Sequence, residues 1–105
     1  MYITMALYIL KLLHRNGDGM SLTEIYRHVY RNYSNRVTFE TVRRHVLTLE
    51  NIGAVKTEYK GRMRVVTLTE NVNMSGVKWA YKFFTQFEKT YENLWGANRE
   101  KRNDS

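Results

Sequence analysis

Residues Thr41 to Glu70 read TVRRHVLTLENIGAVKTEYKGRMRVVTLTE, and a change of period inside this stretch decides the fold. In its first half the apolar residues Val42, Val46, Leu49 and Ile52 recur at steps of three and four, which stacks them on one face of a helix. Thr38 is the expected N-cap, Phe39 the first core residue, and Asn51 with Gly53 the stop, so the helix is predicted over about residues 38–51. Past Gly53 the pattern changes. Residues 55–60 and 62–69 are rich in valine, threonine and tyrosine, with Gly61 between them. Two short strands joined at a glycine predict a β-hairpin over about 55–69, with Lys60-Gly61-Arg62 at its tip. Between the apolar positions of the helix stands an Arg43-Arg44 pair, so its other face is basic.

Outward from this stretch, the N-terminal side predicts two more helices. The apolar run MYITMALYILKLL ends at His14-Arg15 and is too short to span a bilayer. It also lacks the basic leader and small-residue cleavage site of a signal peptide, so a buried helix over Ile3 to Arg15 is expected. Asn16-Gly17-Asp18-Gly19 is a turn signal that stops it. Ser21 followed by Glu24 forms a capping box. The helix it opens is expected to turn Leu22, Ile25, Tyr26, Val29 and Tyr30 inward and Arg27 and Arg31 outward, and to end at Tyr33-Ser34-Asn35-Arg36.

On the C-terminal side a long helix is predicted from near Ser75 to about Trp95. Its stripe of Val77, Ala80, Phe84, Phe87, Tyr91 and Leu94 has heptad spacing, and Trp79, Tyr81, Phe83 and Trp95 widen it. Part of such a stripe is ordinary core against the first helix. The rest is more apolar surface than one small domain covers, and a symmetric homodimer is the economical way to bury it. Val77, Ala80, Phe84, Phe87, Tyr91, Leu94 and Trp95 are the expected interface. The reading is thus one domain over 1–96, mainly α with a small β-hairpin and a long C-terminal dimerisation helix, then a polar tail over 97–105.

The 105-residue chain carries a formal net charge of +7, and the placement of that charge is informative. Residues 27–64 hold Arg27, Arg31, Arg36, Arg43, Arg44, Lys56, Lys60, Arg62 and Arg64 against Glu40, Glu50 and Glu58, while the flanking parts are near balance. A local basic surplus is the footprint of a polyanion, usually nucleic acid. The chain has no cysteine, which excludes disulfides and thiolate metal sites and fits an intracellular protein. His14, His28 and His45 are too scattered in character to suggest a metal site, so no metal is expected. No nucleophile–base pair or phosphate-cradling loop stands out either, so neither an enzyme nor a cofactor is expected.

From Ser21 to Glu70 the order of elements resembles the winged helix-turn-helix DNA-binding domain. Thr41 to Glu70 looks like the recognition-helix-plus-wing segment of ArsR, MarR and PadR-type repressors. Their exit from the helix (leucine, acid, two residues, Gly, one residue, Val) is matched here by Leu49-Glu50-Asn51-Ile52-Gly53-Ala54-Val55, and Thr67-Leu68-Thr69-Glu70 matches the end of the wing. Two departures stand out. Residues 31–37 make a longer connection than the tight turn of the simplest members, and the ligand clusters of metal-sensing members are missing. Small size and high tyrosine content also look like small archaeal or viral regulators.

The resemblance implies that the third helix enters a major groove of double-stranded DNA, with the wing on the backbone or the neighbouring minor groove. Arg43 and Arg44 are the candidates for guanine or phosphate, since a guanidinium donates two parallel bonds. Thr38, Thr41 and Thr48 are candidates for phosphates, bases or a thymine methyl. Glu40 would accept from a cytosine amine or orient an arginine. Phosphate contact and packing at the helix flank are both open to His45. Arg36, Lys60, Arg62 and Arg64 complete the expected surface. A dimeric, sequence-specific transcriptional regulator acting on a palindromic site is the leading expectation. A winged-helix protein-interaction module of transcription or replication machinery, and a non-specific architectural DNA-binding protein, are its rivals.

Overall fold

Ser21 and Thr38 set the starts of the two central helices. The structure, a computed structural model, describes residues 3–87. The first helix, α1, spans Ile3–Arg15, and its side chain-to-backbone stop is the Asn16 amide donating to the Leu12 carbonyl at 3.0 Å. In α2, Leu22–Asn32, both halves of the capping box form: the Glu24 N–H donates to Ser21 Oγ at 3.2 Å and the Ser21 N–H to the Glu24 carboxylate at 3.4 Å. The third helix, α3, spans Phe39–Asn51, with the Thr41 N–H donating to Thr38 Oγ1 at 3.2 Å. It ends in a Schellman-type turn, where Gly53 (φ +82°) lets its own N–H reach the Glu50 carbonyl and that of Ala54 reach Leu49.

The hairpin follows as β1, Val55–Lys60, paired antiparallel with β2, Met63–Leu68, from Val55↔Leu68 at its base to Lys60↔Met63 at its tip. Gly61, with φ +64°, supplies the left-handed residue of the two-residue turn. A further helix, α4, occupies residues 74–87, at the edge of the described residues. The expected helix end, and with it Tyr91, Leu94 and Trp95, lies outside the described residues.

One core joins these elements. Ile9 and Leu13 of α1, Ile25 and Val29 of α2, Val42, Val46 and Leu49 of α3, and Val55 and Val66 of the hairpin are all buried together. Each such side chain contributes on the order of 1.5–3 kcal/mol when taken from water. Met20 adds a feature with no periodic signal in the sequence. It exchanges both backbone hydrogen bonds with Val66, at 3.0 and 2.7 Å, and so ties the middle of β2 to the α1–α2 turn. Gly19, immediately before it, carries φ +98° and packs so closely on β2 that a Cβ would stand 2.7 Å from Thr67 Cγ2.

Three residues expected inward lie outside. Ile52 is 71% exposed, because it is the C-cap of α3 (φ −86°, ψ 0°) and the chain has already left the helical path that carries Val42, Val46 and Leu49. Phe39, at the first helical position, is 41% exposed and meets Tyr26 edge to face, with ring centroids 5.8 Å apart. Tyr30, in the last turn of α2, is exposed and leans on Tyr26 rather than on the core. The connection between α2 and α3 covers residues 33–38, because α2 continues through Asn32. It is pinned by Tyr33, whose ring stacks on Tyr8 of α1 at 5.4 Å and whose hydroxyl meets Thr4.

Candidate nucleic-acid interface

Helix α3 is amphipathic for a simple reason. Val42, Val46 and Leu49 fill the core, so the positions between them are turned to the outside. Arg44 is the most open of these, with 76% of its side chain exposed against 43% for Arg43. Thr38 is exposed and Thr41 and Thr48 are half-buried, and all three hydroxyls already serve the helix. Thr38 caps it, Thr41 shares a hydrogen bond with Thr38 at 2.9 Å, and Thr48 donates to the Arg44 carbonyl at 3.0 Å. Their remaining lone pairs and methyl groups are what a ligand would meet.

His45 is a correction. It is only 5% exposed, and its Nδ1–H donates to the Thr41 carbonyl at 2.7 Å. Of the two roles open to it, packing is the one the structure holds. Its position one residue before Val46 rotates it onto the inward edge of the helix.

Glu40 organises the two arginines. Its carboxylate receives two parallel bonds from Arg43, Nε to Oε2 at 2.9 Å and Nη2 to Oε1 at 2.6 Å, and Arg44 Nε stands 3.4 Å from the same Oε1. The spacing explains it: residues three and four positions on lie one turn above Glu40 on the same face. The Arg43 bond, together with the positive charge of both guanidinia, holds the Glu40 carboxyl below its ordinary value, and the carboxylate in turn pushes Arg43 up. Since all three side chains are exposed, the pairing is worth little to stability.

The hairpin places Arg64 opposite Arg43. Both line a groove of about 140 Å³ between α3 and the sheet, floored by Val46, Val66 and Leu22 and walled by Leu47, Glu50 and Thr57. Thr57 Oγ1 donates to the Glu50 carboxylate at 2.7 Å, which braces β1 against the C-terminal half of α3. Glu50 and Thr57 are contributors that strand and helix periodicity do not single out, because the pairing of one element with the other is a tertiary matter. Tyr59 and Met63, both exposed near the hairpin tip, add apolar surface beside the charges. Arg62 is exposed at the tip, and Arg36 is exposed in the α2–α3 connection. Lys60 instead turns back to donate to the Asp18 carbonyl in the α1–α2 turn. Lys56 is drawn to Glu58 at 3.1 Å, along the strand.

On α4, the expected apolar stripe divides. Val77 is buried in this chain's own core, and Ala80 and Phe84 are half-buried. Tyr81 packs on Tyr8, with Lys11 Nζ 4.2 Å above the Tyr81 ring. What remains outside is an aromatic row shifted to one side: Trp79 and Phe83, stacked at 5.3 Å with planes 10° apart, and Phe87 one turn further. Val77 is therefore corrected from interface to core residue, since the helix leans on α1 along that edge.

Among the described residues no group of three or more His, Cys, Asp or Glu could hold a metal ion, and no helix is long and apolar enough to cross a membrane. No protein-family model and no curated protein matches the chain. Two solved structures are similar to it. The crystal structure of SSV1 F-93 superimposes with a TM-score of 0.56 at 20% identity, covering 87% of this chain and 91% of that one. The crystal structure of AF1382 from Archaeoglobus fulgidus superimposes with a TM-score of 0.50 at 22% identity, covering 81% of this chain and 86% of that one. At such identities the likeness is one of fold: helices followed by a two-stranded antiparallel hairpin.

Proposed function

We propose that the protein is a winged-helix transcriptional regulator that binds double-stranded DNA as a homodimer. The observation that carries this reading is that Arg43 of α3 and Arg64 of the hairpin border one groove, so helix and wing offer their cations to the same side. In this reading the N-terminal part of α3 enters a major groove, with Arg43 and Arg44 toward base edges and Arg62 and Arg64 toward the backbone. The exposed Trp79–Phe83–Phe87 row supports a second copy as partner, because a stacked aromatic surface of that length is costly to leave wet. A two-fold axis would set the two α3 helices about 34 Å apart and make the site palindromic.

Duplex binding followed by fluorescence anisotropy tests it. If the dimer neutralises about 6–10 phosphates, affinity falls by roughly three to five powers of ten between 50 and 200 mM salt. Arg43→Ala and Arg44→Ala should each cost about 1–3 kcal/mol on a selected site and relax its sequence preference, whereas Arg62→Ala should weaken all duplexes alike. Light scattering on the same samples should report a dimer, and Phe83→Glu should convert it to a monomer. A flat salt response with no duplex bound at low salt would turn the reading toward a protein-interaction module.

A further inference from the structure

Resting on the DNA-binding reading, we propose that Glu40 and Arg43 act as one unit that reads a G·C base pair, and that Glu40 thereby sets specificity. The two side chains leave complementary groups side by side. Arg43 uses two of its five N–H donors on Glu40, and three remain. The Glu40 carboxylate, with Arg43 on both oxygens and Arg44 beside Oε1, keeps an acceptor position on Oε2. A G·C pair presents its own complementary set in the major groove: the O6 and N7 acceptors of guanine next to the N4 amine of cytosine. Arginine donors meet the guanine while the carboxylate accepts from the cytosine, and no other base pair offers that order of groups.

The same pairing works against the phosphate backbone. An arginine alone is drawn to any phosphate, but an arginine carrying a carboxylate on its fork presents no net charge. Glu40 lies in the first turn of α3, where the helix enters a groove, so a phosphate reaching for Arg43 would meet a negative charge. Random DNA is penalised and the matching pair is rewarded, which is how discrimination is built from a repulsive and an attractive element together. A plain surface ion pair would add only to helix stability, and at this exposure very little.

The test uses sites selected from random-sequence duplex by the intact protein. Anisotropy is then measured on the selected duplex, on the same duplex with the favoured G·C pair changed to A·T, and on a random duplex. Wild type should select a G·C pair in each half-site. Glu40→Gln should bind random duplex about fivefold tighter, from the loss of one nearby negative charge, and should lose about tenfold or more of the G·C preference. Arg43→Lys should lose the preference without the gain on random duplex, since an ammonium cannot offer the parallel fork. If wild type discriminates and Glu40→Gln keeps both its random-duplex affinity and its G·C preference, this inference falls and the DNA-binding reading stands. If wild type binds no duplex at low salt, both fall.

Discussion

Gly19 packs the α1–α2 turn closely on β2, and Gly19→Ala should be strongly destabilising. Two costs add. The φ of +98° lies in a region that costs a non-glycine residue about 1–3 kcal/mol. The new methyl would also stand 2.7 Å from Thr67 Cγ2, 3.2 Å from the Val66 carbonyl oxygen and 3.3 Å from Val65 Cβ. None of these is the loose end of a long side chain: Thr67 and Val65 are β-branched, and the third atom is backbone. Overpacking of this kind costs about 1–3 kcal/mol, and the reduced freedom of the unfolded chain returns less than about 1 kcal/mol. The net expectation is about 1–6 kcal/mol, or a fall in Tm of roughly 5–40 °C for a domain of this size. Gly17 provides the internal control, because nothing lies within 4 Å of its would-be Cβ and its φ is not positive. Thermal and urea unfolding of both alanine variants, followed by far-UV circular dichroism, make the comparison. Gly17→Ala should be neutral or slightly stabilising. If Gly19→Ala unfolds within 1 kcal/mol of Gly17→Ala, the hairpin does not sit against that turn as described. The Met20–Val66 bridge, and the placement of Arg64 that depends on it, would then be wrong.

The Glu40 carboxyl should titrate below the ordinary glutamate value of about 4.3, and Arg43→Ala should move it back upward, as side-chain carbonyl NMR shifts would record. Because the folded value is the lower one, the small stabilisation from this pair is present above the unfolded value and fades as pH falls through the folded value. Acid below the ordinary glutamate range, not alkali, should therefore release Arg43 from Glu40. Ile25→Ala should cost about 2–5 kcal/mol, since Ile25 is fully buried, while Ile52→Ala should change stability by less than about 0.5 kcal/mol. Equal losses at the two isoleucines in urea unfolding would contradict the ending of α3 at its C-cap.

Most of the scaffold was legible because it is written in local chemistry. The capping box at Ser21, the threonine cap at Thr38, the αL glycine at Gly53 and the glycine turn at Gly61 each act within a few residues and each formed as expected. Periodicity was less reliable at the ends of helices. Ile52 keeps the right spacing on paper, but spacing means nothing once the backbone leaves the helical path, and Phe39 at the entry is 41% exposed. Contacts between distant segments were legible only in outline, as in the packing of the C-terminal stripe on the first helix. The Met20–Val66 bridge involves one residue, too few to make a pattern, and the groove that unites Arg43 with Arg64 depends on how the hairpin leans on α3. The division of the α4 aromatics into core and exposed row follows from which side of α4 rests on Tyr8 and Lys11. The Glu40 grip on Arg43 was within reach of the sequence, since the three-residue spacing permits it.

The joint presentation of α3 and the hairpin to one duplex is tested most directly by NMR. Amide shifts of the labelled protein are followed as a short duplex is added at low salt. The largest changes should fall on residues 38–48 of α3 and 60–64 of the hairpin together, with residues 79–87 of α4 nearly unmoved. Changes centred on Trp79 and Phe83 while Arg43 and Arg64 stay still would contradict that joint presentation.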